Sequence, residues 1–122
     1  MPAEDTRVSV IDQAQVTSLR GLQQPGEADF VTELIDLFLN EATSQLKALQ
    51  EALVKDDAVE IQRVAHRLKG SSASMGAMQM AALFEELESK DPGKNVKDLL
   101  AQLENEFVLV REALKAERKE TG

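Results

Sequence analysis

The chain of 122 residues contains no cysteine, no tryptophan and no tyrosine, only one histidine, four phenylalanines and three prolines. Without cysteine, disulfides and thiolate metal sites are excluded and a reducing compartment fits. With so few aromatics, a core must be built from leucine, isoleucine, valine, alanine and methionine. No apolar run approaches bilayer-spanning length, so membrane insertion is not expected. The opening MPAEDTRVSV has neither a basic n-region nor an apolar h-region, so it does not read as a signal peptide. Positive charge is scarce too. Lysine and arginine number 14 against 22 aspartates and glutamates, and the net charge of −8 disfavours nucleic acid and anionic membrane as partners. The remaining class is a soluble, cytoplasmic single domain long enough for one modest core.

What the chain does have is helical periodicity. Val96, Leu99, Leu100, Leu103, Phe107, Val110 and Leu114 form a continuous three-four stripe near the C-terminus. It follows KDPGKN, where Pro92 and Gly93 predict a turn and Asn95 a helix cap. A second stripe runs through Phe30, Leu34, Leu37, Phe38, Ala42, Leu46, Leu49 and Leu53, with Asp29 as its expected N-cap after the loop QPGEA. Asp57 is the next cap, and Glu60 three residues on suggests a reciprocal capping box. Shorter helices are expected in IDQAQVTSLRGL, capped by Asp12, and in MQMAALFEELE, where Met80, Leu83, Phe84 and Leu87 face inward. No segment alternates as a strand would. The expected fold is all-α: an antiparallel four-helix bundle with a short additional N-terminal helix. Residues 1–11 read as a flexible N-terminal segment, 12–117 as the bundle and 118–122 as a polar tail.

The lone histidine lies in VAHRLKGSSASMGA. At about 100° per residue, Ile61, Val64, Leu68 and Met75 fall on the side opposite His66, so the imidazole points to solvent. Gly70 lies one turn beyond it in mid-helix, where glycine costs roughly 1 kcal/mol against alanine and leaves room for another molecule. Lys69 shares the face and could place an ammonium beside an anion on the ring. No acid occurs from Ile61 through Phe84, so Arg63, Arg67 and Lys69 form a basic island in an acidic chain. Val59, Ala73 and Ala77 add small apolar groups on the same side, with Gln62 among them. These features describe an anion carried on a histidine and reached by a docking protein. A metal centre lacks the necessary ligands, and the bundle di-metal signature is broken by Arg63 three residues before His66. A serine hydrolase would need an acid beside the ring and an oxyanion hole, and neither is suggested. Ser71 and Ser72 turn towards the core. No glycine-rich phosphate loop precedes a helix, so nucleotide binding has no support.

The stretch AHRLKGSSASMGA resembles the signature of histidine-containing phosphotransfer (HPt) domains, and the likeness extends from about Asp12 to Leu114. The resemblance implies that His66 is phosphorylated reversibly by receiver-domain aspartyl phosphates, that Lys69 neutralises the phosphoryl group and that Gly70 gives the receiver access. It further implies docking residues at Val59, Gln62, Arg63, Arg67, Ala73 and Ala77. The chain would be a phosphorelay intermediate and not an enzyme with its own ATP site. It would work as a monomer with no cofactor of its own, taking phosphate through receiver domains from a hybrid sensor histidine kinase and relying on magnesium held by the receiver. The glutamine that some members place beside the histidine on the following helix has no clear match; Gln79 shares only its residue type. Two readings from other classes stay open on the residues alone. One is the dimerisation domain of a sensor kinase, although Arg67 stands where that family has an acid and no proline follows. The other is a helical module that binds partners without carrying phosphate.

Overall fold

A computed structural model describes residues 10–22, 30–89 and 96–118. Within them run α1 (Gln13–Arg20), α2 (Phe30–Val54), α3 (Ala58–Ser74), α4 (Met78–Glu88) and α5 (Val96–Glu117), with no strand among the described residues. α3 packs on α2 and α4, and α5 closes the ring by packing on α4 and α2, while α1 lies against α2. Two polar pairs fix the sense of α2 and α5. Gln50 meets Glu104 and Asp36 meets Arg118, so the helices run in opposite directions. The fold is therefore the expected four-helix bundle with a short extra helix.

The caps explain where the helices begin and end. Asp12 accepts a hydrogen bond from the Ala14 amide, and Asp57 accepts one from the Glu60 amide at 3.1 Å. The reciprocal half of the capping box at Asp57 does not form, because both Glu60 oxygens bind the Arg63 guanidinium one turn on. α3 ends in a Schellman turn: the Ala77 amide reaches back to the Ser72 carbonyl, Gly76 to that of Ala73, and Gly76 takes a positive φ of 83°. A side chain at Gly76 would also approach the Asp12 carbonyl oxygen to 3.0 Å, where the Asp12 amide bonds the Gly76 carbonyl. Glycine thus serves both the left-handed backbone and the docking of the N-terminal segment. The expected signals at Asp29, QPGEA, Pro92, Gly93 and Asn95 lie outside the described residues.

Burial follows the stripes with two corrections. Every member of the α5 stripe is buried, as are Ile61, Val64, Leu68 and Met75 behind His66. On α2 the buried row is Val31, Ile35, Phe38, Ala42, Leu46, Leu49 and Ala52. Leu37, expected in that row, is 66% exposed, since a residue next to Phe38 is turned about 100° away from it. Ala77, expected on the outer face, is fully buried. The helical wheel stops applying at Ser74, and the residue after a Schellman glycine folds back against the helix it closes. Ile11 is buried in the core with Val10 packed against it, and Arg118 pairs with Asp36.

Candidate functional site

The site is built on the outer face of α3. Val64 and Leu68, both fully buried, fix how the helix is rolled against the bundle, and that roll turns His66 outward with its side chain 72% exposed. Ala65 and Ser72 share a flank of α3 with Lys69, and all three look towards α4. Ala81 lies seven residues, two turns, before Glu88 on α4 and is buried as well. These small side chains keep α3 and α4 close, which brings the last turn of α4 level with His66.

That last turn carries Glu88, and its two carboxylate oxygens are divided between two partners. Oε2 lies 2.5 Å from His66 Nδ1, and Oε1 lies 2.8 Å from Lys69 Nζ. The Lys69 hydrogen bond, followed by that from His66, holds the Glu88 carboxyl below its ordinary value of 4.5. Its carboxylate in turn raises the Lys69 ammonium. Glu88 is therefore ionised at neutral pH and accepts hydrogen bonds only, so the ring proton must sit on Nδ1. In the neutral imidazole the lone pair is then left at Nε2. The sign follows from the lowered carboxyl: the Glu88 carboxylate that accepts from Lys69 and from Nδ1 persists from neutral pH down past 4.5 and is lost only as pH falls through its depressed value. A long-range nitrogen–proton NMR experiment at neutral pH should show His66 with a protonated Nδ1 and a bare Nε2. The opposite tautomer would contradict this geometry.

The other expected residues divide clearly. Val59, Gln62, Arg63, Arg67 and Gly70 are exposed around the ring, Lys69 and Ala73 are half-buried, and Ala77 is withdrawn into the core. A Cβ placed on Gly70 would meet nothing within 4 Å among the described residues, so no packing among them asks for glycine there. The basic island of the sequence is a paired surface in space. Arg63 binds Glu60 at 2.6 Å, Arg67 binds Glu41 of α2 at 2.5 Å and Lys69 binds Glu88. Ser71 bonds the Arg67 carbonyl, while the Ser72 hydroxyl is buried with no hydrogen-bond partner among the described residues. The acid beside the ring, absent from the sequence reading, is supplied from 22 residues away by Glu88. The turn at Gly76 sets the end of α4 beside the middle of α3, ten residues before the glycine and twelve after it, but does not single out Glu88 from Glu85 and Glu86. Gln79, at the start of α4, is exposed and far down the helix from that position.

Among the described residues no cluster of three or more histidine, cysteine, aspartate or glutamate side chains is placed to hold a metal ion. Nor is any described helix long and apolar enough to cross a membrane.

The chain's likeness to known proteins agrees with this arrangement. The family model of the Hpt domain matches residues 33–118. The chain is 30% identical to the phosphorelay protein LuxU of Vibrio vulnificus over 101 residues, which cover 80% of this chain and 85% of that one. It is 36% identical over 69 residues to histidine-containing phosphotransfer protein 5 of Arabidopsis thaliana. That match takes in 54% of this chain, and it spans only 44% of the plant protein's length. The crystal structure of histidine-containing phosphotransfer protein B (HptB) from Pseudomonas aeruginosa superimposes with a TM-score of 0.84 at 30% identity, covering 92% of this chain and 96% of HptB. An all-helical bundle that presents one exposed histidine from its third helix, with these relatives, places the chain in the Hpt domain family of phosphotransfer carriers.

Proposed function

We propose that His66 accepts a phosphoryl group from the aspartyl phosphate of one response-regulator receiver domain and delivers it to the aspartate of another. The relay begins at a hybrid sensor histidine kinase. The observation that carries this reading is the ring itself: an exposed imidazole whose Nδ1 is held by an ionised carboxylate, leaving Nε2 as the nucleophile. Nε2 attacks phosphorus, the bond from phosphorus to the aspartyl oxygen breaks, and the aspartate leaves with the electron pair as a carboxylate. The Nδ1 proton stays in place, and the positive charge gained by the ring is stabilised by Glu88 at 2.5 Å. The return step reverses these bonds, and the ring leaves as neutral imidazole because Nδ1 kept its proton.

Phosphoryl transfer passes through a loose transition state in which positioning and charge neutralisation do most of the catalysis. Here Glu88 orients the ring, and Lys69 brings a cation to its edge. The magnesium and the acceptor aspartate belong to the receiver, and the chain needs no cofactor or ATP site of its own. It acts as a monomer in the cytoplasm. Lys69→Ala should slow transfer about tenfold or more without abolishing it, because the nucleophile remains.

Gly70 separates folding from access. Gly70→Ala should stabilise the bundle by about 0.5–1 kcal/mol, since the helix gains from alanine and the added methyl group meets open space. Gly70→Phe should fold as well yet lose most transfer, because the ring would fill the approach to Nε2. Denaturation and transfer rates measured on both variants check this. Loss of stability in Gly70→Ala, or unchanged transfer in Gly70→Phe, would remove the access role. The function itself is tested by incubating the protein with a panel of phosphorylated receiver domains and reading intact mass. The expected result is a gain of one acid-labile phosphoryl group, whereas binding without any gain would favour a phosphate-free interaction module.

A further inference from the structure

α2 and α5 are linked at two places, Asp36 with Arg118 and Gln50 with Glu104. Two helical turns separate Thr43 from Asp36 and from Gln50, and two turns separate Arg111 from Arg118 and from Glu104, so Thr43 and Arg111 face each other midway along the same seam. Lys47 and Lys115 stand one turn further along each helix. A groove of about 360 Å³ opens here, lined by Thr43, Leu46 and Lys47 from α2 and by Phe107 from α5, with Gln50 and Glu104 at one end.

The seam carries cations without partners. Lys47 and Lys115 are exposed, and neither has an ion pair or hydrogen bond among the described residues. Arg111 lies over the Phe107 ring, 5.8 Å from its centroid. Its nearest acid, Glu112, is 3.9 Å away, and its Nε is shielded from solvent with no hydrogen-bond partner among the described residues. The acids between the two links are turned elsewhere. Glu41 is held by Arg67 towards α3 and Glu117 by Arg20 towards α1. Glu106 and Glu112 fall about 140° and 100° from Arg111 around α5.

We propose that this seam is a second docking surface, and that it takes an acidic amphipathic helix of a partner protein. The apolar face of that helix rests over Leu46 and Phe107, and carboxylates beside it meet Lys47, Arg111 and Lys115, one of them supplying the acceptor that Arg111 Nε lacks. The two links lie about 21 Å apart, the length of a helix of some fourteen residues. The net charge of −8 does not forbid an acidic partner, because screening over about 8 Å leaves the cations of the seam to decide at contact. α5 stands across the ring from α3, so the groove opens away from His66 and a helix held in it leaves the histidine free. The proposal is therefore independent of the phosphotransfer reading. Together with that reading, a partner tethered here gains effective concentration at His66.

The probe is a synthetic helical peptide of about fourteen residues with leucines on one face and glutamates beside them. Its counterpart carries lysines in place of the glutamates. Amide chemical shifts of the full chain are followed through both titrations. The glutamate peptide should move the signals of Thr43, Lys47, Phe107 and Arg111 and leave those of His66 and Gly70 in place, with binding that weakens as salt rises. Lys47→Glu/Lys115→Glu changes only exposed side chains, so the bundle keeps its fold. That variant should bind the glutamate peptide roughly tenfold more weakly and the lysine peptide more tightly. Phosphoramidate, a small phosphoryl donor, should load His66 as fast with the glutamate peptide bound as without it. No binding of the glutamate peptide, equal binding of both peptides by wild type, shifts centred on α3, an unchanged preference in the variant, or slower loading of His66 would each overturn the docking seam. A His66 that takes no phosphate at all, with peptide binding intact, would overturn the phosphotransfer reading and leave the seam standing.

Discussion

His66→Gln should take up no phosphoryl group from any receiver, with acceptance falling to background while the bundle melts at nearly the wild-type temperature. Both halves follow from the position of the side chain. The chain has one histidine, so no other imidazole can substitute. The amide nitrogen of glutamine has its lone pair drawn into the carbonyl and does not attack phosphorus. The ring is 72% exposed and its only described polar partner is Glu88, so no core contact is removed. Surface changes of this kind alter stability by about 0.5 kcal/mol or less. Retained acceptance in this variant would show that another group carries the phosphate. Loss of folding would show that His66 supports the bundle.

Phe84→Ala should have the largest effect on stability, a loss of about 3–5 kcal/mol. Phe84 is fully buried on α4, which packs on both α3 and α5. Domains of this size are stable by only ~5–15 kcal/mol, so the variant should unfold at much lower urea and lose on the order of 10 °C or more in melting temperature. Phe84 also lies one turn before Glu88, and loosening α4 should blur the pairing with His66. In the cold, where the variant remains folded, it should still accept phosphate, because the nucleophile and its helix are intact. A loss below 1 kcal/mol by urea denaturation would mean that α4 is not packed as described.

The parts of this molecule that were legible in the sequence are those decided within one helix. The roll of α3, the exposure of His66, the open space at Gly70 and the stripe on α5 all follow from residues three and four apart. What crosses between helices was not legible. Glu88 and Glu41 reach the site from α4 and α2, and no local pattern distinguishes them from other surface acids. Their arrival changes the chemistry. The island of cations becomes a set of ion pairs, and the ring acquires a fixed tautomer. Ala77 falls off the expected face because a glycine ends the helical wheel two residues after α3 stops. Leu37 does so because the expected row begins at Phe30, one residue before the buried Val31, so that four- and three-residue steps reach Leu34 and Leu37 where the core takes Ile35 and Phe38. Glu60 was assigned to its cap, but the guanidinium of Arg63 offers two charged hydrogen bonds against one from a backbone amide.

The most direct test of the account is the chemical identity of the phosphorylated protein. Wild-type chain loaded by a phosphorylated receiver, with its histidine labelled with nitrogen-15, can be read by phosphorus and nitrogen NMR. Phosphate on Nε2 of His66, with the Nδ1 proton retained and still bound to Glu88, is the predicted result. Phosphate on Nδ1, or on any residue other than His66, would contradict it.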